Sequence, residues 1–568
     1  MRRIFWIKSV FLLFFCSLII RLFYWQVVRA EFLQSQAENQ YFTNTKIDAA
    51  RGDILFSDGF ILASSNPAFS LYGLPKVIAP DERQKISYSL AKILSGLEED
   101  PEIDTLAKDL ITKLSQNLFW VQLKKIISTE QKKQIEDLNL SGIGFEQRST
   151  RFYPEGSSSA HLLGFLGSDA KGASKGYFGV EGYYDGELRG MSGLIRNERD
   201  ALGLPILIGN FFENEAKNGK DLMLNVDRSI QFIIERELKL GMESYGAKAG
   251  SVVVMDPKTG GILAVAAFPS YDPVKYFDYP REYYKNPVVA DQYEPGSTFK
   301  VLVMAAGVNE DVVEPDTRCD KCSGPISIGG FTIRTWNNKY YPDTSLKDVI
   351  IHSDNTGMVF TAQKLGIDKF YSYIENFGFG EPSDIDLQDE SSPDIRPKNS
   401  WKEIDLATAS FGQGIAVTPI QMVRAVAAIA NGGNLMEPHV VKEIRDERGS
   451  FRVEPKVVRQ VLKDSTAQMI KEMMVAAVEE GEARVFRPKG FRIAGKTGTA
   501  QIPVAGHYDS TKTIASFVGF APADDPKFVM LVRYDEPSSS IFGSETAAPT
   551  FFNIAKQLFI YYKIAPSE

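Results

Sequence analysis

An apolar run at the amino end limits the topology of everything that follows it. In MRRIFWIKSVFLLFFCSLIIRLFYWQVV, basic Arg2, Arg3 and Lys8 precede a charge-free stretch from Ser9 to Ile20, and apolar residues continue past Arg21 to Val28. The charge-free stretch alone is short for a membrane span, which needs about 20 residues. With Lys8 and Arg21 extending their charged ends outward, Ile4 to Val28 is long enough. The alternative is a cleaved leader ending at Val28-Arg29-Ala30. That site lies too far behind the apolar core, and Phe23, Tyr24 and Trp25 suit the interfacial belt of a retained anchor. Positive charge ahead of the span predicts a cytoplasmic tail over 1–8, a transmembrane anchor over 9–28 and an extracytoplasmic remainder, a single-pass protein of the plasma (inner) membrane.

The chain as a whole has the composition of globular proteins, 44% hydrophobic and 24% charged over 568 residues. Neither disorder nor a polytopic membrane protein fits those fractions. Cores rarely grow past about 250–300 residues, so two or three domains are expected. The net charge of −8, without any basic tract, excludes a nucleic-acid partner. Of three cysteines, Cys16 lies in the span, while Cys319 and Cys322 form CDKC. A zinc site needs two more ligands that no nearby Cys or His pair supplies, and the βαβ setting of a thioredoxin-like motif is missing. A small loop disulfide or an ordinary thiol pair remains; no metal and no cofactor are expected.

Ala30 to Gln40 reads as a polar helix, and RGDILFSDGFILASS as two short strands about an Asp58-Gly59 turn. Residues 81–140 have helical spacing and read as a helical insert in a non-catalytic module spanning 29–220. From 221 to 568 the pattern changes. VDRSIQFIIERELKLGMESYG predicts a helix capped by Asp227, and AGSVVVMDPKTGGILAVAAFPS predicts a hairpin. Helices are expected from Phe299 to about Glu375. A second hairpin, SFVGFAPADDPKFVMLVRYDE, precedes a terminal helix from about Pro549 to Ile564. Strands at both ends with helices between predict one α+β domain whose antiparallel sheet joins the two ends of the segment.

Within that domain, EPGSTFK places Ser297 three residues before Lys300, behind a Pro-Gly turn and at the start of an apolar helix. Residues at i and i+3 share a helix face, so the amine can reach the hydroxyl. A helix N-terminus favours developing negative charge, and apolar surroundings lower a lysine pKa toward that of a base. The pair alone is weak, since Ser89-x-x-Lys92 and Ser168-x-x-Lys171 also occur. IIHSDNTGM adds Ser353-Asp354-Asn355, and IAGKTGTAQ adds Lys496-Thr497-Gly498-Thr499. S-x-x-K, S-D-N and K-T-G together mark active-site serine enzymes that act on β-lactams or D-Ala-D-Ala peptides. Lys258-Thr259-Gly260 repeats the last pattern inside a hairpin turn and is set aside. Gly498 reads as the point where a substrate backbone comes close to the strand. His161, His352 and His439 read as packing or turn residues.

These motifs, with ARGDILFSDGFILA, RFYPEGSSSAHLLGFLG, GVEGYYDGELRG, ASFGQGIAVTPIQM and ASFVGFAP in the same order, resemble the class B penicillin-binding proteins. The resemblance implies a membrane-anchored peptidoglycan DD-transpeptidase with a penicillin-binding, serine β-lactamase-like fold on an elongated pedestal of dimerisation type. It implies Ser297 as nucleophile, Lys300 as base, and Ser353 with Lys496 as the proton path to the leaving amine. Asn355, Thr497, Gly498 and Thr499 would hold substrate, and the backbone N–H groups of Ser297 and Thr499 would form the oxyanion hole. Implied partners are stem peptides on strands built from lipid-linked precursors, β-lactams, a SEDS-family glycosyltransferase and divisome membrane proteins. Asn355 in the second motif and YEPGSTFK resemble the division and sporulation branch, septal penicillin-binding protein 3 and its relatives. The alternatives are an elongation-type enzyme, a β-lactamase or carboxypeptidase, and a non-enzymatic β-lactam sensor or division scaffold.

Overall fold

The computed structural model describes residues 2–96, 101–170, 172–198, 212–504 and 507–566. Met1 of the expected tail, 97–100 of the expected insert and 199–211 of the expected pedestal lie outside them. One helical stretch, Arg2–Val28, is long and apolar enough to cross a membrane, and it begins well ahead of Ser9. The basic residues of the expected tail form its first turns, because nothing between Arg2 and Ser9 breaks a helix.

The remainder forms two compact units between which the chain passes repeatedly. One holds residues 1–51, 67–149 and 189–219; the other holds 52–66, 150–188 and 220–568. Two early segments, 52–66 and 150–188, thus belong with the C-terminal unit. In the first unit, the helices Arg83–Ser95, Pro101–Leu114 and Thr129–Asp137 agree with the expected insert, but the strand Val121–Ile127 lies among them. Its alternating Val121, Leu123 and Ile127 join Leu90, Leu110 and Ile135 in one apolar cluster. Strand periodicity was hidden there by the lysines at 124 and 125, which point outward.

The second unit is built on a five-stranded antiparallel sheet. Its labelled elements are α1 (Arg228–Tyr245), β1 (Ala249–Met255), β2 (Ile262–Phe268), α2 (Lys300–Asn309), α3 (Leu346–His352), α4 (Asn355–Asn376), β3 (Ala494–Val504), β4 (His507–Ala521), β5 (Phe528–Asp535) and α5 (Ala547–Tyr561). The strand order is β2-β1-β5-β4-β3. Val253 pairs with Leu531, so the first and last hairpins meet in the middle of the sheet, as the sequence predicts. Side chains alternate between its faces. Val252, Val254, Phe517 and Val532 pack with Ile234 and Leu238 of α1 and Phe551 and Leu558 of α5. Val253, Met255, Val518 and Leu531 face the other way, into a larger core with Met304 of α2 and Val423 and Val426 of the helix Pro419–Ala430. Each such buried side chain contributes about 1.5–3 kcal/mol.

α1 is capped at Asp227, whose Oδ1 accepts the N–H groups of Ser229 and Ile230 at 2.9 and 3.0 Å. Lys258-Thr259-Gly260 is the β1–β2 turn, where Gly260 N–H donates to Asp256 O. Helices do run through the segment from Phe299 to Glu375 as expected, with a break between α2 and α3. α2 ends at Asn309, and a long loop with a small hairpin, Ile326–Ile328 with Phe331–Ile333, leads to α3. Gly324, Pro325, Gly329 and Gly330 account for the break.

Candidate active site

Three segments converge beside the edge strand β3. Ser297 lies in a tight turn, Gly296–Phe299, that runs directly into α2. The turn leaves Ser297 half-buried while Lys300 is fully buried. Ser353 ends α3 in the left-handed conformation, φ +56°, an uncommon state for a residue with a side chain. Asp354 then caps α4, its Oδ1 accepting Thr356 N–H at 2.7 Å and Thr356 Oγ1–H at 2.6 Å. The charged middle residue of S-D-N is thus spent on a helix start, and its neighbours face the lysines.

The Lys300 amine donates to Ser353 O at 2.6 Å and to Asn355 Oδ1 at 2.7 Å, and stands 3.2 Å from Ser353 Oγ. Asn355 is fixed in turn by donating Nδ2–H to Arg334 O at 2.8 Å. On the opposite side, the Lys496 amine lies 3.0 Å from Ser353 Oγ and 3.2 Å from Thr497 Oγ1. One hydroxyl, that of Ser353, therefore bridges two buried amines. Among the described residues, the Lys300 amine is hydrogen-bonded to Ser353 and Asn355 and not to the Ser297 hydroxyl, although Ser297 lies only three residues ahead, in the turn that runs into α2.

Both lysines are pushed toward their neutral forms. Burial is the main cause for Lys300, whose pKa falls well below the usual lysine value, and the nearby Lys496 charge lowers it further. Burial brings Lys496 down to about 8. A neutral Lys300 has two N–H bonds, which the Ser353 and Asn355 oxygens can take. Its lone pair is then left for a hydroxyl proton.

β3 is the outer strand of the sheet, so alternate backbone N–H and C=O groups of Lys496–Thr499 are not taken by β4. A peptide can add there as a further strand. Thr499 Oγ1 accepts the N–H of Gly543, which ties the strand to the loop after β5. Gly498 also meets a packing requirement that its sequence does not show. A Cβ there would lie 2.5 Å from Ser516 Oγ and 2.8 Å from Thr298 Cγ2, so its bareness lets the Gly296–Phe299 turn pack against β3.

Sequence reasoning passed over several residues that shape the site. Gly412 lies with backbone against backbone on Gly296, its N–H neighbour in the nucleophile turn. Glu294, three residues before Ser297, accepts hydrogen bonds from Gly414 and Tyr508. Trp336, half-exposed, donates to His352 O and meets Phe542 edge-on at 5.6 Å. The Gly-Gln-Gly of SFGQG was the available signal for the first; the others depend on contacts distant in sequence. Cys319 and Cys322 form a disulfide at the head of the loop that carries Arg334 and Trp336, and both are buried. The histidines lie elsewhere: His161 is buried beside Tyr271, and burial lowers its pKa to about 4. His352 stacks on Tyr341, and His439 lies by the β1–β2 turn.

Comparison with known proteins agrees with this geometry. Residues 250–556 match the family described as the penicillin binding protein transpeptidase domain, and residues 46–224 match the penicillin-binding protein dimerisation domain. Stage V sporulation protein D of Bacillus subtilis is 36% identical over 543 residues, covering 94% of this chain and 82% of the relative. The probable peptidoglycan D,D-transpeptidase PenA of Neisseria meningitidis serogroup B is 31% identical, covering 97% and 91%. Among solved structures, penicillin binding protein 2X of Streptococcus thermophilus superposes with a TM-score of 0.76 at 25% identity, covering 92% of this chain and 80% of that one. A peptidoglycan synthetase of Bifidobacterium adolescentis gives 0.73 at 27% identity, covering 93% and 98%. Similarity that runs through both family domains and nearly the whole length places the chain among the penicillin-binding proteins.

Proposed function

We propose that the chain is a class B peptidoglycan DD-transpeptidase working through an acyl-enzyme on Ser297. The observation that carries this reading is the Ser353 hydroxyl shared between the Lys300 and Lys496 amines, 3.2 and 3.0 Å away, beside an open strand edge. Neutral Lys300 takes the Ser297 proton as the oxygen attacks the penultimate D-alanine carbonyl of a stem peptide. The oxyanion is held by the N–H groups of Ser297 and Thr499. The proton then passes through Ser353 to the leaving nitrogen as the peptide bond breaks, and D-alanine departs. Lys496, with Thr497 and Thr499, holds the substrate carboxylate, and Asn355 holds its amide. An amine from a neighbouring stem peptide attacks the Ser297 ester, forms the cross-link and returns the proton by the same path. A β-lactam presents a similar amide and acylates the same serine.

The N-terminal helix fits a single-pass anchor. Its basic first turns support a cytoplasmic amino end and an extracytoplasmic site in the plasma membrane. Residues 29–220 serve as the non-catalytic pedestal and 221–568 as the transpeptidase domain. Asn355 in the second motif and the similarity to a protein named for sporulation support the division and sporulation branch over the elongation branch. A SEDS-family glycosyltransferase and other divisome membrane proteins are the expected partners, because the class B reading implies an enzyme that makes no glycan strands itself.

The test supplies the full chain in detergent with a synthetic D-Ala-terminated acyl donor and a free amine, and reads products by mass. Transfer of the acyl group to the amine, lost in Ser297→Ala, is the expected result. Hydrolysis that ignores the amine would make it a carboxypeptidase or lactamase. An untouched donor would leave a non-enzymatic binding protein.

A further inference from the structure

The nucleophile segment and the loop from Gly412 to Val417 run past each other as a short antiparallel pair. At one end Tyr293 and Val417 exchange two backbone hydrogen bonds, each 2.9 Å. At the other end Gly296 N–H donates to Gly412 O at 3.0 Å. Between them the rung is made by a side chain, the Glu294 carboxylate, whose Oε1 accepts Gly414 N–H at 3.0 Å. The same carboxylate accepts the Tyr508 hydroxyl, 3.1 Å from Oε1 and 3.3 Å from Oε2.

The contact that this rung closes has no slack. Gly412 has φ +78°, and a Cβ on it would lie 2.2 Å from Gly296 O. Gly296 has φ +55°, and a Cβ on it would lie 3.1 Å from Thr499 O. The peptide that precedes Ser297 is thus set by the Gly412–Gly414 loop on one side and by β3 on the other. A carboxylate accepting a backbone N–H makes a stronger tie than a neutral acceptor. Loss of the tie lets the loop, Gly296 and the Ser297 N–H shift together.

We propose that Glu294 is a positioning residue for acylation: its carboxylate supplies the missing rung that holds the Gly412–Gly414 loop against Gly296 and thereby aims the Ser297 backbone N–H at the developing oxyanion. The proposal rests on Ser297 being the acylated residue. Glu294 touches neither the substrate nor the reacting atoms in this account and acts through the loop.

The experiment follows penicillin acylation of the full chain in detergent by intact mass, over a range of drug concentrations that separates non-covalent binding from the limiting acylation rate. Glu294→Ala should slow the limiting rate by about 10–100-fold, the scale of a misaligned reacting group, with binding altered by no more than about threefold. Glu294→Gln, whose amide oxygen can accept the same N–H, should recover most of the rate. Glu294→Asp keeps the charge but is one methylene short, so it should be as slow as alanine, and it decides the matter if the alanine variant does not fold. Tyr508→Phe should change the rate by less than about threefold, because the bond to Gly414 remains. A wild-type limiting rate in Glu294→Ala or Glu294→Asp, or a glutamine variant as slow as alanine, overturns the proposal. Failure of the Ser297 reading is distinct, since it would appear as no adduct on the wild type or as an adduct retained in Ser297→Ala.

Discussion

At the scale of single residues, the site depends on two amines denied their usual hydration. Lys300 is buried with two carbonyl-type oxygens to satisfy its N–H bonds, and Lys496 is buried with Ser353 and Thr497. Lowered pKa values have a defined sign for the rate. Acylation should rise with pH as Lys300 loses its proton, and fall again above about 8 as Lys496 loses the charge that holds the substrate carboxylate. A bell-shaped profile of the acylation rate constant is therefore expected. Lys496→Arg should keep the acid limb and remove the alkaline one, because a guanidinium stays protonated throughout that range. Stopped-flow acylation between pH 5 and 10 measures both limbs, and an alkaline limb unmoved by the arginine would remove Lys496 from this role. Lys300→Ala should lower the rate by about 10²–10⁴-fold, the usual contribution of a general base.

At the scale of elements, local chemistry was readable wherever one short segment decides it. The Asp227 cap, the Lys258-Thr259-Gly260 turn and the two hairpins follow from turn residues and alternation, and each appears in the structure. The stretch between α2 and α3 lies inside the range expected to be mostly helical, and its glycines and prolines set a loop and a small hairpin there instead. Gly498 was expected to let a substrate backbone come close to the strand, and its packing adds a second requirement. Sequence shows that a glycine is present, and only the packing shows which neighbour requires it, here Thr298 and Ser516. Gly412 permits a sharper prediction. Its φ of +78° and a Cβ position 2.2 Å from Gly296 O leave no room for Gly412→Ala without displacing the nucleophile turn. That variant should lose about 1–3 kcal/mol of stability from strain alone, and its acylation rate should fall with it. Thermal melting beside penicillin labelling checks this; an unchanged melting temperature would show that the turn can shift freely.

At the scale of the whole molecule, the candidate site stood out in the sequence because its residues cluster in three short motifs with fixed internal spacing. The long apolar N-terminal helix was legible because a membrane imposes a length and a polarity on any helix that can cross it. The division into compact units was not legible, since residues 52–66 and 150–188 join the C-terminal unit through contacts between positions far apart in the chain. The tie between β1 and β5, with Ser251 opposite Arg533, is equally long-range, but paired hairpins at the two ends of the segment announced it. The same logic explains the site: Ser297, Ser353 and Lys496 meet because an edge strand near the end of the chain closes against a turn that begins α2. The central claim is that this meeting makes Ser297 a nucleophile. The most direct measurement is the intact mass of the full chain and of Ser297→Ala after exposure to a penicillin. The account predicts one stable adduct of a single drug molecule on the wild type, located on the peptide bearing Ser297 and absent from the variant. An adduct that persists in Ser297→Ala, or rapid turnover of the drug with no adduct on the wild type, would contradict it.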